Sequence, residues 1–236
     1  MKYVFDVDGT LTPSRLPIDP EFEKFFLEWM EGKEVYLVTG SSKDMTIEQV
    51  GEKIWSKAKR AYQSCGNAVY EYGELYREID FELGKDLKKL LEQFLELSEW
   101  EEKYDTHIEK RLGLVNFSTI GRSCPQEARE RYTEWDKLSG ERYLFCKVIE
   151  DKYPHLEATV GGEISIDIYP KGKNKGQILD DLEGPISFFG DRCKPGGNDF
   201  PIVQRLDYER LKMQRMSLVF DVAGWEDTWN YLKNIK

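Results

Sequence analysis

The fold is decided by residues 2–12, which read KYVFDVDGTLT. Residues 2–5 form a mostly apolar, β-prone run that predicts a short buried strand ending at a glycine-containing loop. Residues two apart in an extended chain point to the same side, so Asp6 and Asp8 can share one site while Val7 points away. Ligands of parallel α/β sheets bind just beyond the carboxyl ends of the strands. Paired carboxylates at that edge can hold a hard divalent cation and attack a phosphoryl group, so the motif indicates phosphoryl-transfer chemistry.

The composition is that of an ordinary globular protein. Of 236 residues, 40% are hydrophobic and 33% are charged, so the chain can bury one large core or two smaller ones. It has no apolar run long enough for a membrane span and no basic-then-apolar leader, so we expect a cytoplasmic protein with no membrane partner. The formal net charge of −10 argues against a nucleic-acid partner but permits an anionic small substrate held by a local arginine cluster. The four cysteines lack CxxC spacing, which favours free thiols over a zinc site.

Strands and helices alternate in residues 1–79 and again after residue 173. Asp19-Pro20 predicts the capped start of a helix, and residues 35–38 read as a second buried strand before the turn at Thr39 to Ser41. The later part predicts helices over 176–182, from about 199 and from about 225, with strands at 186–189 and 217–220. This order predicts an α/β fold with a Rossmann-like parallel-sheet core.

Residues 80–172 show a different pattern, in which a helical segment is followed twice by a pair of strands. The predicted elements are an amphipathic helix from Gly84 to about Glu102 whose apolar stripe includes Trp100, a hairpin at 106–111 and 114–120, a helical segment at 125–153 broken near Gly140, and strands at 156–160 and 164–169. We therefore predict an inserted α+β cap domain, an antiparallel sheet with helices, over residues 80–172. The catalytic core would be discontinuous, formed by residues 1–79 and 173–236.

Polar residues fall at the ends of several predicted core strands. They are Asp6 with Asp8, Thr39 with Ser41, Lys175, and Asp191 with the loop to Asp199. Their order resembles the haloacid dehalogenase-like phosphotransferase superfamily, whose signature opens with DxDGT. A carboxylate nucleophile splits one difficult phosphoryl transfer into two easier ones, and it needs cations beside it to approach an anionic phosphate.

Motifs in the middle and later parts of the chain resemble eukaryotic-type phosphomannomutases more closely. They are GRSC at 121–124 with QE at 126–127, GGEISID at 161–167, and GD at 190–191 followed by PGGND at 195–199. The similarity covers nearly the whole chain in the same motif order. It implies an enzyme, an isomerase that interconverts mannose 6-phosphate and mannose 1-phosphate and so supplies mannose 1-phosphate for GDP-mannose synthesis.

The resemblance also implies roles for individual residues. Asp6 would be the nucleophile that becomes an aspartyl-phosphate, and Asp8 the general acid/base, with Lys175, Thr39 and Ser41 completing the catalytic group. Mg²⁺ would be held by Asp6, the backbone carbonyl of Asp8, Asp191 and the loop to Asp199. The sugar phosphate would be bound by Arg15, Arg111, Arg122, Arg129, Ser165 and Asp167. Planar guanidinium groups suit this because they bind phosphate bidentately.

Further expectations concern the activator and the assembly. Glucose 1,6-bisphosphate or mannose 1,6-bisphosphate would phosphorylate the enzyme, and the hexose monophosphate would be its substrate. The family forms homodimers through the cap, so we expect the same here.

Two other functions fit parts of the pattern. A sugar-phosphate phosphatase would share Asp6, Asp8, Lys175 and Asp191, and residues 65–68 (CGNA) are closer to such enzymes than to the Glu-Asn-Gly of the mutases. The cluster of Arg111, Arg122 and Arg129 favours the mutase, which must bind a second phosphate. A non-catalytic sugar-phosphate-binding protein is disfavoured, because such a protein would be expected to lose the nucleophile or the metal carboxylate.

Overall fold

The computed structural model describes residues 1–235. The chain forms two compact units, one made of Met1–Glu78 with the chain from Asn174 onward and the other of Ile79–Lys173. None of the helices in residues 1–235 combines the length and apolar character that a membrane crossing requires.

The elements follow one another in this order. The strands are β1 Lys2–Asp6, β2 Glu34–Val38, β3 Arg60–Gln63, β4 Ala68–Glu71, β5 Glu74–Glu78, β6 Ile108–Arg111, β7 Leu114–Phe117, β8 Leu156–Gly161, β9 Ser165–Pro170, β10 Ile186–Gly190 and β11 Ser217–Asp221. The α-helices are α1 Pro20–Trp29, α2 Lys43–Lys57, α3 Lys85–Leu97, α4 Gln126–Ser139, α5 Glu141–Lys152, α6 Phe200–Leu211 and α7 Trp225–Asn234. Short 3₁₀ helices cover Ser64–Gly66 and Lys175–Asp180.

The first unit is built on one mixed sheet, and the predicted α/β class is confirmed. Within residues 1–235 the strand order is β11-β10-β1-β2-β3-β4-β5. Strands β11 to β3 run parallel, whereas β4 and β5 are antiparallel additions at one edge. The chain enters at β1, moves to β2 on one side and later returns to β10 on the other. The carboxyl ends of these three strands therefore meet at one edge, where parallel α/β sheets bind their ligands.

Alternation along β1 explains why helices cover both faces of this sheet. Tyr3 and Phe5 belong to the core formed with α1, α2 and α7, whereas Val4 belongs to the core formed with α6 and the 3₁₀ helix at Lys175–Asp180. A strand that is apolar on both sides is buried on both faces, as expected for the centre of a parallel sheet. Stable packing on both faces holds the end of β1, and with it Asp6, in a fixed position.

The start of α1 agrees with the sequence. The Asp19 side chain accepts hydrogen bonds from the backbone N–H groups of Glu21 and Phe22, and Pro20 is the first helical residue. Phe22, Phe26 and Trp29 are buried at helical spacing. The helix is therefore fixed by its cap at one end and by an apolar stripe along its length.

The second unit contains an antiparallel sheet whose strand order, for the described chain, is β6-β7-β9-β8. One face is apolar and packs against α3 and α5, with Val115, Phe117, Ile166 and Ile168 in that core. The opposite face is polar, because side chains alternate along each strand. Of the residues that the sequence assigned to substrate binding, Arg111, Ser165 and Asp167 lie on strands of this sheet.

Two predicted helices differ from the structure. The helix predicted over 84–102 ends at Leu97, and Trp100 lies beyond it, packed on Tyr132 and Trp135 in a separate cluster. Trp100 continues the helical spacing of apolar residues, but its packing against Tyr132 and Trp135 places it outside the helix. The helix predicted at 176–182 is instead a 3₁₀ helix from Lys175 to Asp180.

Candidate active site

Asp6 ends β1 and lies against a buried lysine. The Lys175 ammonium donates hydrogen bonds to Asp6 Oδ1 at 2.6 Å and to Asp199 Oδ1 at 2.7 Å. Its side chain is only 1% exposed. Burial alone lowers the pKa of Lys175, but the carboxylates of Asp199 and Asp6 outweigh it, and the pKa is raised above its ordinary value. The lysine therefore remains a cation that joins the end of β1 to the loop after β10.

Three carboxylates from two strand ends form an acidic cluster. Oxygen atoms of Asp6, Asp191 and Asp199 all lie within 4.8 Å of one another. Gly9 permits this approach, because a Cβ there would overlap the Asp191 carboxylate and because its φ of 76° disfavours other residues.

Burial raises the pKa of Asp6 well above its usual range, and the charges of Asp199 and Asp191 add to this while Lys175 opposes it. Burial likewise raises the pKa of Asp191 to about 6, with Asp199 contributing. Mutual repulsion of this kind is relieved by a cation, and carboxylate oxygens are the donors that Mg²⁺ prefers. The residues present therefore fit a hard divalent cation.

The Asp8 carboxylate is held by a separate set of donors. Its Oδ1 accepts from the backbone N–H of Arg15 at 2.8 Å and from Gln49 Nε2 at 2.9 Å. Its Oδ2 accepts from Ser41 Oγ at 3.3 Å. Thr39 supports this arrangement indirectly, because its Oγ1 accepts from the backbone N–H of Ser41 at 3.0 Å. The Asp8 carboxylate is thus held in place by three donors.

The structure accordingly divides the predicted core residues into two neighbouring groups. Asp6, Lys175, Asp191 and Asp199 form one group, and Asp8 with Ser41 and the Arg15 backbone forms the other. The Arg15 guanidinium lies 3.8 Å from Met45 Sδ. Arg15 has a φ of 59°, an unusual conformation for a residue with a side chain, and this turn directs its N–H at Asp8.

In the second unit, strand register lines up polar residues across the sheet. Glu109 pairs with Asn116, Asn116 with Asp167, and Asp167 with Thr159. Directly paired residues of antiparallel strands point to the same face. Asn116 Nδ2 donates to Asp167 Oδ1 at 2.6 Å, so the buried carboxylate is held in place by the neighbouring strand.

Two predicted phosphate-binding arginines meet on this polar face. Arg111 donates to Glu109 Oε2 at 2.6 Å, and the Nε atom of Arg122 lies 3.2 Å from the same oxygen. Arg122 also donates to Ser165 Oγ at 3.0 Å. The structure therefore brings Arg111 and Arg122 together around one carboxylate, with Ser165 bonded to Arg122.

Arg129 has a different acidic partner. Its guanidinium lies 3.7 Å from Glu163, in the turn between β8 and β9. The same turn is anchored by the buried Arg142, which bonds to Asp136 and to the carbonyls of Gly162 and Ser165. Helices α4 and α5 thus hold in place the segment that carries Ser165.

Comparison with known proteins decides the family. The sequence profile described as eukaryotic phosphomannomutase matches residues 22–235. A phosphomannomutase of Dendrobium officinale is 36% identical in an alignment 211 residues long, and the match covers 85% of this chain and 84% of that protein. Phosphomannomutase 1 of Homo sapiens is 35% identical in an alignment 213 residues long, and the match covers 84% of this chain and 81% of that protein. The chain belongs to the eukaryotic phosphomannomutase family.

Membership of the phosphomannomutase family confirms the resemblance found in the sequence, and it makes the chain an enzyme, an isomerase. The matched region begins at Phe22, so Asp6 and Asp8 lie before it. Their assignment therefore depends on the DVDG motif and on the geometry described above.

Solved structures support the fold of this phosphomannomutase family member. IMP-nucleotidase of Plasmodium falciparum superposes with a TM-score of 0.60 at 16% identity, covering 99% of this chain and 67% of that one. The C-terminal domain of C. albicans trehalose-6-phosphate phosphatase gives a TM-score of 0.63 at 12% identity, covering 98% of this chain and 90% of that one. At such identities the likeness shows a shared fold alone.

Sequence reasoning missed three side chains that contact the predicted site of this family member. Gln49 holds Asp8, Glu109 bridges Arg111 and Arg122, and Asn116 holds Asp167. Glu109 was within reach of a sequence argument, since it lies two residues before Arg111 on a predicted strand. Gln49 and Asn116 gave no such signal, because their partners are 41 and 51 residues away in the chain.

Proposed function

We propose that this protein interconverts mannose 6-phosphate and mannose 1-phosphate through an aspartyl-phosphate on Asp6. The observation that carries the proposal is the buried contact of Asp6 with Lys175, in a chain of this family that also gathers arginines on a polar sheet face. A mutase must transfer one phosphate group of its substrate and bind the other. The Asp6–Lys175 pair suits the transfer, and the arginines suit the binding.

In the first half-reaction, a carboxylate oxygen of Asp6 attacks the phosphorus of a sugar 1,6-bisphosphate. The bond between that phosphorus and the sugar oxygen breaks, and Asp8 delivers a proton to the departing oxygen. In the second half-reaction, Asp8 removes the proton from a hydroxyl of the bound sugar monophosphate. The oxygen of that hydroxyl attacks the phosphorus of the aspartyl-phosphate, whose bond to the Asp6 oxygen breaks and leaves Asp6 as a free carboxylate. Covalent catalysis of this type divides a difficult transfer into two easier ones. The backbone N–H of Arg15 and the side chain of Gln49 keep the Asp8 carboxylate oriented for both proton transfers.

Asp6, Asp191, Asp199 and the backbone carbonyl of Asp8 would hold Mg²⁺. When bound, the ion supplies positive charge that offsets repulsion between the carboxylate nucleophile and the anionic phosphate. Lys175 adds a fixed positive charge at Asp6 Oδ1. The hydroxyl of Ser41, with Thr39 supporting its loop, is suited to the phosphate oxygens.

Binding of the sugar phosphate is assigned to Arg15, Arg111, Arg122, Arg129, Ser165 and Asp167. The guanidinium groups of Arg111 and Arg122 share a site of suitable charge for a phosphate, and the Asp167 carboxylate can accept hydrogen bonds from sugar hydroxyls. In the full cycle the bisphosphate intermediate would turn end for end between the two half-reactions. Residues 80–172 would serve as the substrate-binding cap.

The wider assignment follows the family. Glucose 1,6-bisphosphate or mannose 1,6-bisphosphate would be the activator that phosphorylates Asp6. The product mannose 1-phosphate would supply GDP-mannose synthesis in the cytoplasm, and the enzyme would be a homodimer joined through the cap.

A coupled assay tests the proposal. The purified protein is given Mg²⁺ and mannose 1-phosphate, with and without glucose 1,6-bisphosphate, and mannose 6-phosphate and free phosphate are measured together. We expect isomerised product that depends on the bisphosphate, with little phosphate release. Asp6→Asn should lower turnover at least about 10⁴-fold because it removes the nucleophile. Asp44→Asn, on the exposed side of α2, makes the same chemical change and should have no effect.

Release of phosphate in step with substrate loss would instead identify a sugar-phosphate phosphatase. That activity requires Asp6, Asp8, Lys175 and Asp191 but no arginine pair for a second phosphate. Selective loss of mutase activity in Arg122→Ala, with phosphate release retained, would separate the two activities and support the mutase.

A further inference from the structure

Glu109 occupies the position between the two arginines that the proposed function assigns to phosphate. Arg111 and Arg122 both direct guanidinium nitrogens at one atom, Glu109 Oε2, at 2.6 and 3.2 Å. This carboxylate was not part of the sequence prediction. It carries the same sign of charge as the phosphate that the arginines would bind.

Burial makes an anion necessary at this place. The Arg111 and Arg122 side chains are 5% and 10% exposed. Two guanidinium charges brought close together away from water are costly unless a negative group accompanies them. Glu109 supplies one negative charge against two positive ones, so the group keeps a net positive charge in the absence of ligand.

Glu109 is also the most exposed member of this group of three side chains. It lies on β6, an edge strand of the sheet, and its side chain is 31% exposed. Arg111 is two residues further along the same strand, so both side chains start from the same face. A rotation about the Glu109 side chain can therefore move its carboxylate into water without burying a charge.

From these contacts we infer that Glu109 is an internal carboxylate that neutralises Arg111 and Arg122 until the phosphate group of a ligand replaces it. The inference rests on the proposed function for the identity of the ligand, a phosphate monoester. Glu109 is a specificity residue in this role, since every anion that binds must compete with it.

Competition with a tethered carboxylate selects for charge. A phosphate dianion carries nearly two negative charges and three acceptor oxygens, so it can pair with both guanidinium groups at once. A monoanionic carboxylate offers no advantage over Glu109 and is not expected to displace it. The price of this selectivity is a weaker intrinsic affinity for phosphate.

Calorimetric titration with inorganic phosphate at pH 8 in the presence of EDTA tests the inference. Glu109→Gln keeps the shape of the side chain and removes its charge. We expect phosphate to bind this variant about tenfold more tightly than the wild type, because one competing charge within a few ångströms is lost. The KM for mannose 1-phosphate should also decrease in Glu109→Gln, with no increase in kcat.

Glu71→Gln is the matched control. Glu71 forms an ion pair with Arg60 in the other unit at 3.2 Å, and its side chain is also 31% exposed. This variant changes the net charge by the same amount and should bind phosphate as the wild type does. Arg122→Ala should lose phosphate affinity, which identifies the arginine pair as the site being titrated.

Weaker or unchanged phosphate binding in Glu109→Gln would overturn the inference, because a carboxylate that only orients the arginines should weaken binding when it is neutralised. Unchanged binding in Arg122→Ala would overturn it as well. The mutase assay reports on the proposed function separately. Tighter phosphate binding in Glu109→Gln without any mutase turnover would uphold the role of Glu109 and reject the proposed function.

Discussion

At the scale of single residues, Gln49 is the clearest addition to the predicted site. It is 2% exposed, and its Nε2 donates to Asp8 Oδ1 and, at 3.1 Å, to Thr12 Oγ1. Within the described residues 1–235, its Oε1 is buried without a hydrogen-bond partner. A buried amide oxygen without a partner is costly, so the bond from Gln49 to Asp8 is maintained at the expense of another hydrogen bond. We therefore interpret Gln49 as a residue that positions the Asp8 carboxylate.

Gln49→Leu should therefore lower kcat about 10- to 100-fold and leave KM within about twofold, because misplacing an acid/base group affects the transition state more than binding. Steady-state kinetics with mannose 1-phosphate and the bisphosphate activator would measure this. Gln93→Leu, on the exposed side of α3, is the control. A raised KM with unchanged kcat would assign Gln49 to substrate binding instead.

Glu141 illustrates the cost of a buried charge in the second unit. It is the first residue of α5 and is largely buried. Burial raises the pKa of Glu141, and the neighbouring polar groups of Ser98 and Thr119 offset only part of this effect. A folded-state pKa above the ordinary value means that the stabilising contribution is complete below the ordinary glutamate pKa and is lost as the pH rises through the folded-state pKa.

Glu141→Gln should accordingly gain stability relative to the wild type as the pH is raised from 4 towards 8. Urea unfolding at several pH values would give the difference in the free energy of unfolding between the two proteins. Glu96→Gln, at an exposed position of α3, controls for the loss of a surface carboxylate. A difference that stays constant with pH, or that decreases, would contradict the expectation.

At the scale of elements, α1 shows that a local sequence signal can suffice. The Asp19 carboxylate accepts from the N–H groups of Glu21 at 2.9 Å and Phe22 at 3.0 Å, donors that have no partner inside the helix. The α1 helix packs its aromatic residues on β1, which carries Asp6 at its end. Cap, helix and strand thus connect a surface residue to the position of the proposed nucleophile.

Asp19→Ala should reduce the free energy of unfolding by about 1 kcal/mol, the usual contribution of an N-cap side chain. Glu21→Ala removes a nearby exposed carboxylate that is not the cap and should cost at most about 0.5 kcal/mol through the helix dipole. Chemical denaturation measures both values. Equal losses in the two variants would show that charge near the helix start, and not the cap geometry, is what stabilises α1.

Elements of the second unit show which structural features local sequence signals predict and which they do not. Alternation correctly predicted the hairpin of β6 and β7, and Gly140 correctly marked the break between α4 and α5, where its φ is 67°. The periodicity of α3 did not predict its end, because Trp100 is drawn into contact with Tyr132 and Trp135. The spacing of an apolar residue such as Trp100 does not show whether it packs in the core under α3 or in a separate cluster.

At the scale of the whole molecule, exposed apolar residues on α5 suit the proposed dimer. Tyr143, Leu144 and Val148 are 56%, 58% and 37% exposed. Leu144 and Val148 are four residues apart and so lie on the same side of the helix. Apolar side chains grouped in this way are typical of surfaces that contact another protein.

Leu144→Glu should raise the dimer dissociation constant at least about tenfold, because a charge buried in an apolar interface is unfavourable. Light scattering after size-exclusion chromatography would follow the change from dimer to monomer mass. Leu211→Glu, at a 79% exposed position of α6 in the other unit, should leave the mass unchanged. A monomeric wild type, or equal effects of both variants, would reject a dimer formed through α5.

Local sequence signals predicted the class of fold and most of the order of its elements, and they predicted that Asp6 lies at the end of a strand. These follow from local causes: side-chain alternation, helical spacing, caps and glycine turns act within a few residues. Only the tertiary structure decided which side chains meet. Lys175 reaches Asp6 across 169 residues, and Gln49 reaches Asp8 across 41. Glu109 and Arg122 meet because β6 pairs with β7 and because the backbone N–H of Arg122, beyond β7, donates to the carbonyl of Thr106. Such contacts are properties of the packed chain, because distance in the sequence does not fix distance in space.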